Sequence, residues 1–182
     1  MKKRDLAKKY FNKYSDGSLQ LRYNYNTIYE HSKIITNTVL YESRDGNSFV
    51  DSPYRIFQNL ITDSKYKEFI HYIVVNADNK KDIEKIVEFI PNKNSKNIYY
   101  VERNSLEYLT CLCTCEYLVN NSTFQNFFIK KKNQIYINTW HGTPLKFMGF
   151  DIPGNPAHSQ NVLRNYLKTD FLLSPNEHTT NI

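Results

Sequence analysis

The feature that most constrains this chain of 182 residues is an alternation of two patterns. Six short apolar runs, each of strand length, are separated by segments with helical spacing. The runs are residues 38–41, 69–75, 97–101, 116–119, 135–139 and 171–173, rich in Ile, Val, Tyr or Phe, which suit extended backbone. Between them, residues 53–61 begin with a proline after Ser52, a first-turn signal. Residues 80–90 place Ile83, Ile86, Val87 and Ile90 on one face and stop at Pro91. Residues 104–114 and 123–131 read as further helices, and residues 159–168 carry Val162, Leu163, Tyr166 and Leu167 on one face. Strands alternating with helices imply right-handed crossovers. The expected fold is therefore α/β, a Rossmann-like parallel sheet flanked by helices. Ligands in such sheets bind beyond the carboxyl ends of the strands, so functional residues are sought just after each run.

The chain is long enough to bury a core without disulfides. Its 40% hydrophobic and 15% aromatic content excludes wholesale disorder. No apolar run approaches the ~20 residues of a membrane span, and the N-terminus lacks the apolar core of a signal peptide. Three cysteines exclude a disulfide scaffold and fit a reducing cytoplasm. The net charge of +6 is unevenly spread: residues 1–13 hold six of the 24 basic residues against Asp5, leaving 18 basic and 17 acidic residues elsewhere. Leu6, Tyr10, Phe11 and Tyr14 fall near one face of a short basic helix in this arm. Such a segment can lie on an anionic membrane surface, grip nucleic acid phosphates, or remain a solvated terminus. No basic stripe continues behind it and no nucleic-acid-binding motif is present, which argues against nucleic acid. Residues 15–33 are polar, rich in Tyr and Asn, and read as a linker. The expected division is an arm and linker over residues 1–37 and a Rossmann-like domain over residues 38–182.

The most distinctive strand end reads IYINTWHGTPLKFMGFD over residues 135–151. Gly142 permits backbone conformations that other residues resist. Thr143 followed by Pro144 resembles a helix cap and first turn, whose free N–H groups can receive an anion. His141 sits at the junction, and an imidazole there suits a general base at neutral pH. Lys146 can neutralise a phosphate, and Trp140 lies beside the histidine in sequence. Glu42 and Ser43 close the first run and either face the cleft or only cap the loop. On residues 159–168, Arg164 is a candidate phosphate ligand beside Asn161 and Asn165, with a surface role as the alternative. Ser174, Asn176 and Glu177 follow the last run. Cys111, Cys113 and Cys115 lack the spacing and the second ligand pair of a zinc site. No metal and no cofactor is expected. On a helix, Cys111 and Cys115 would share a face and pack as small apolar groups.

The run NTWHGTPLK resembles the signature of the CDP-glycerol glycerophosphotransferase family, which primes or polymerises teichoic acid and related polyol-phosphate chains. The stretches LVNNSTFQNFFIKKKNQIYIN before it and NVLRNYLKTDFLLSPNEHTT after it resemble the family's flanking segments in the same order. VLYESRDGNSFVDSP resembles its first strand and loop, but Arg44, Asp45, Gly46 and Asn47 lack the lysine that follows glycine in the family. The similarity runs from Val39 to Ile182. It implies the N-terminal, acceptor-side half of a GT-B fold, two Rossmann-like domains facing across a cleft. The second domain, which holds most of the CDP-polyol site, is expected to be absent from this sequence. By resemblance, His141 is the general base, and Trp140, Gly142, Thr143, Lys146, Arg164, Glu42 and Ser43 contact substrate. The donor is CDP-glycerol or a related CDP-polyol such as CDP-ribitol, and the acceptor a polyol-phosphate or lipid-linked chain. The location implied is cytoplasmic and peripheral, on the inner face of the membrane through residues 1–13. Such a half is expected to be inactive alone. The alternatives are a non-catalytic partner, one half of a split enzyme, or a protein that binds nucleic acid through its basic arm.

Overall fold

The computed structural model describes residues 17–94, 97–143 and 160–180. In chain order the elements are α1 (Gly17–His31), β1 (Ile35–Glu42), α2 (Asp51–Thr62), β2 (Ile70–Val75), α3 (Lys80–Glu88), β3 (Ile98–Glu102), α4 (Leu106–Thr114), β4 (Cys115–Asn120), β5 (Ile135–Asn138), α5 (Gln160–Tyr166), β6 (Phe171–Leu172) and α6 (Glu177–Thr180). All six expected strands are present. They form one sheet in the order β3-β2-β1-β4-β5-β6, and every pairing is parallel. The direction of winding reverses between β1 and β4. In a parallel α/β sheet this reversal opens the crevice where ligands bind.

Both faces of the sheet are covered, as a parallel sheet requires. Side chains alternate along β1: Leu40 enters one core with Tyr25, Leu109, Leu112, Leu118 and Tyr136. Val39 and Tyr41 enter the other with Phe57, Ile61, Ile73, Ile83 and Val87. Helices α1 and α4 cover the first face, and α2 and α3 the second. Ser105 caps α4 by accepting from the Tyr108 N–H at 3.1 Å. The other end of α4 is closed by Gln134, whose amide donates to Leu112 O at 3.0 Å and Cys115 O at 2.9 Å.

Four expectations need correction. Residues 15–33 are not a linker: residues 17–31 are helical, and Tyr25 is buried in the core. The Tyr25 hydroxyl donates to Ile129 O and accepts from Ile129 N, each at 3.0 Å, so α1 belongs to the folded unit. Residues 123–131 form no helix. Phe124 and Phe128 are buried, and the backbone of Phe124 is paired with one side chain. Asn165 Oδ1 accepts from its N–H at 2.9 Å and Asn165 Nδ2 donates to its carbonyl at 3.2 Å. A segment whose peptide groups are satisfied by side chains has no need of a helical ladder. On α5 the buried residue is therefore Asn165, while Leu167, just beyond the helix, is exposed. Cys115 is not helical but opens β4 directly after α4. All three cysteines are nevertheless buried among apolar side chains.

His71, fully buried on β2, stacks on Tyr41 and Phe69 and packs edge-on to Phe57. Its Nδ1 lies 3.1 Å from the Tyr41 hydroxyl, and Nε2 has no partner among the described residues. Burial lowers its pKa to about 4. The unfolded chain takes up a proton near pH 6.5, whereas the folded chain resists until about pH 4. Stability from this group is full above pH 6.5 and is lost as pH falls toward 4, by about 2–3 kcal/mol. Urea unfolding of the native chain and His71→Phe across pH 7.5 to 4.5 checks this. The variant is expected to lose less stability over that window, and equal losses would exclude His71 as the source.

Candidate functional site

The carboxyl ends of the strands carry a belt of polar residues that is mostly buried. At the point of reversal, Glu42 on β1 pairs in register with Asn120 on β4, which in turn pairs with Asn138 on β5. All three are fully buried. Glu42 and Ser43, read as either facing the cleft or capping the loop, both have no exposed surface. The Glu42 carboxylate is held by Arg103 Nε at 3.1 Å and by the Tyr108 hydroxyl at 2.7 Å. Burial pushes the Glu42 carboxyl above its ordinary range, while the Arg103 guanidinium and Tyr108 hydroxyl pull it back. Burial also raises Tyr108 well above a normal phenol, so it remains a donor. Glu42 thus shapes the site from beneath it.

The turn after β1 is strained. Arg44, Asp45 and Gly46 have φ of 46°, 58° and 77°, the left-handed region, where residues with a side chain are disfavoured. Each is tied to a residue beyond the end of a different strand. The Arg44 N–H donates to Asn121 Oδ1 at 2.9 Å, after β4. The Asp45 carboxylate pairs with Arg103 at 3.1 Å, after β3. The Gly46 carbonyl accepts from Asn79 Nδ2 at 2.7 Å, after β2. A Cβ on Gly46 would lie 3.2 Å from Asn76 Oδ1 and 3.3 Å from a Val74 methyl, so the position favours glycine on space as well as conformation. The Arg44 side chain is exposed and pairs with Asp51 at 3.2 Å.

After β5, the chain turns through Trp140, at φ 51°. The Trp140 N–H is held by Asn138 Oδ1 at 2.8 Å. Its ring packs edge-on to Tyr166, centroids 5.5 Å apart, and lies 4.0 Å from the His141 ring. His141 is exposed, and its Nδ1 sits 2.6 Å from the Asn121 carbonyl. A carbonyl can only accept, so Nδ1 carries the proton, and in the neutral ring Nε2 is left as a proton acceptor. Gly142, at φ 148°, has open space where a Cβ would project. Thr143 Oγ1 accepts from Asn176 Nδ2 at 2.6 Å, which joins this loop to the segment after β6. Asn176 also caps α6, accepting from the Thr179 N–H at 2.9 Å.

Trp140, His141, Gly142 and Thr143 therefore lie together, at the carboxyl end of β5 next to the point of reversal. Glu42 and Ser43 lie below them. Arg164 is exposed on α5, and its side chain makes no hydrogen bond or ion pair with the described residues. Its neighbours Asn161 and Asn165 bind the 123–128 segment, so they are structural. Lys146 and Pro144 lie outside the described residues, as does the basic arm. The reading of the sequence missed Asn121, Asn138 and Arg103. Each stands at or just after the end of a strand, which is the signal that marks them. No group of three His, Cys, Asp or Glu suited to a metal occurs among the described residues.

Residues 23–182 match the model of a family described as CDP-Glycerol:Poly(glycerophosphate) glycerophosphotransferase. A teichoic acid poly(glycerol phosphate) polymerase from Staphylococcus epidermidis is 31% identical over 165 residues, covering 87% of this chain and 21% of that protein. A polymerase of the same description from Bacillus spizizenii is 30% identical, covering 79% and 36%. Among solved structures, the wall teichoic acid polymerase TagF superposes with a TM-score of 0.69 at 27% identity, covering 88% of this chain and 38% of TagF. A variant of it soaked with CDPG gives a TM-score of 0.73. The chain thus spans between about a fifth and two-fifths of the length of these relatives.

The Glu42–Arg103 pair yields a stability test. Arg103→Ala strands a carboxylate without exposure, and unfolding free energy is expected to fall by about 3–5 kcal/mol. Removing both charges, with Glu42→Gln and Arg103→Met, is expected to cost less than the single change. Chemical denaturation of the two variants checks the order, and the reverse order would discount the buried charge.

Proposed function

Because the chain belongs to the CDP-glycerol:poly(glycerophosphate) glycerophosphotransferase family, we propose that it supplies the acceptor-side half of a polyol-phosphate transfer with His141 as general base. One observation carries this reading: the Nδ1 contact to the Asn121 carbonyl leaves Nε2 free to accept a proton, at the strand ends where such sheets bind ligands. In the proposed step, Nε2 takes the proton of a terminal hydroxyl on the acceptor chain. The resulting oxygen attacks the phosphorus that bears glycerol in CDP-glycerol, or ribitol in a related donor. A new P–O bond forms, the P–O bond to CMP breaks, and CMP leaves with the electron pair. A positioned base contributes about 10²–10⁴-fold.

The neighbouring residues have matching roles. Gly142 lets a phosphate approach the backbone, and Thr143, tethered by Asn176, presents that backbone. Trp140 walls one side of the base. Lys146 and Arg164 supply positive charge to phosphates of either substrate. Glu42 and Ser43 act from below, by holding the strand ends, and do not touch substrate. The rest of the reaction, including capture of the cytidine nucleotide, is assigned to parts corresponding to the remainder of the longer relatives.

Two measurements test the reading. Trp140 is the only tryptophan, so its fluorescence reports directly on the site. Titration with a glycerol-phosphate oligomer is expected to change its emission, and an unresponsive signal counts against an acceptor site. Second, this chain can replace the matching segment of the Staphylococcus epidermidis polymerase. His141→Ala in that chimera is expected to slow CMP release by at least 100-fold. Retention of most of the rate would remove His141 as the base.

We also propose that the protein works at the cytoplasmic face of the membrane, held peripherally by residues 1–13. The six basic residues of this arm support the reading, since each lysine or arginine near an anionic surface contributes about 1 kcal/mol. No helix among the described residues is long and apolar enough to cross a membrane. Sedimentation with vesicles containing anionic lipid is expected to pull down the full chain but not one lacking residues 1–13. Binding to an oligonucleotide in preference to vesicles would overturn this.

A further inference from the structure

The geometry points to Asn121 as the positioning residue of this site, the group that sets which nitrogen of His141 carries the proton. This rests on the reading of His141 as the base. Asn121 follows β4 and has no exposed surface. Its backbone carbonyl is 2.6 Å from His141 Nδ1. Among the described residues this is the only hydrogen bond to the imidazole, which is otherwise exposed and flanked by the Trp140 ring. Whatever fixes the Asn121 carbonyl therefore fixes the histidine.

The Asn121 side chain is what fixes it. Its Oδ1 accepts from the Arg44 N–H at 2.9 Å, and its Nδ2 donates to Ser43 Oγ at 3.3 Å. The same Nδ2 reaches Asp51 Oδ2 at 3.5 Å. One planar amide thus closes on three groups of the segment after β1, two of which, Arg44 and Asp51, sit at positive φ of 46° and 59°. Strained backbone persists only where its surroundings over-determine it, and Asn121 is part of that restraint. An amide is required because both ends are used: an aspartate would keep the acceptor, lose the donor and face the Asp51 carboxylate, and a leucine would offer neither. Asn121 therefore joins the first strand's turn to the catalytic loop across the point where the sheet reverses. It touches no reacting atom in this arrangement and acts through His141.

The test reads the imidazole directly. The chain holds five histidines. With histidine ring nitrogens labelled with ¹⁵N, the His141 signals are identified by their loss in His141→Gln. At pH 8.5, where imidazoles are neutral, His141 of the native chain is expected to show mainly the Nδ1–H tautomer. In Asn121→Ala, with the fold verified by circular dichroism, it is expected to shift to the mixture of tautomers of a free imidazole. A native His141 without the Nδ1–H tautomer overturns the proposal, as does a folded Asn121→Ala with an unchanged one. A purely structural asparagine would lower stability and leave the tautomer alone. If Asn121→Ala does not fold, the double variant Ser43→Ala with Asp51→Ala removes the contacts to Nδ2 and leaves the Arg44 N–H bond to Oδ1, at the further loss of the Arg44–Asp51 pair and of the Ser43 contacts to Val50. It is expected to shift the tautomer part of the way, and no shift overturns the proposal. The outcome is independent of turnover: loss of the base role in the chimera would leave an observed tautomer shift standing.

Discussion

A carboxylate without solvent exposure, at the end of a central strand, organises the carboxyl side of this protein. Glu42 closes β1 next to the reversal of the sheet, and burying a charge there demands a partner and hydrogen bonds. Arg103 reaches it from beyond β3 and Tyr108 from α4. These contacts draw the β3–α4 connection over the strand ends. The same guanidinium holds Asp45, in the left-handed turn that follows β1. From one buried charge come the position of that turn, the seat of α4 and the floor on which the candidate site rests.

Above this floor, carboxamides do most of the joining. Asn121, Asn138, Asn165, Asn79 and Asn176 each bind backbone or side-chain groups of a segment distant from their own strand or helix. An amide both donates and accepts without carrying charge, so it can satisfy irregular backbone inside the fold at little electrostatic cost. That is why the segment after β4 buries Phe124 and Phe128 without a helix: Asn161 and Asn165 meet the Phe124 peptide groups from α5. The same chemistry holds the Trp140 N–H through the Asn138 side chain, whereas His141 meets the backbone carbonyl of Asn121, whose carboxamide binds the turn after β1.

Much of the architecture was legible from local pattern. Each strand was marked by its Ile, Val, Tyr and Phe content, and the helices α2, α3 and α4 by spacing and by Pro53 and Pro91. The misses have specific causes. Helix α1 is Tyr- and Asn-rich and weakly periodic, and it is helical here because Tyr25 gains a core and a backbone partner at Ile129. Residues 123–131 mimic helical spacing through Phe124 and Phe128, but Asn165 supplies the alternative partners. Cys115 looked helical because the helix and the next strand adjoin without a loop. In the site, His141 stood out beside a glycine, a threonine and a proline. Asn121 and Arg103 did not, because an asparagine or arginine after a strand carries no sign of what it will face.

The sequence by itself determined the six strands and the helices α2, α3 and α4 in their order, the family membership over residues 23–182, and the placement of Trp140, His141, Gly142 and Thr143 just after a strand. These depend on side-chain periodicity and backbone preference, which act over a few residues. Only the tertiary structure decided that β1 lies between β2 and β4, that Glu42 is sealed beneath the site, and that the Asn121 carbonyl meets His141. Those outcomes rest on contacts between residues 20 to 80 positions apart, from His141–Asn121 to Ile35–Cys115. Such contacts form only once the sheet has brought distant strand ends together.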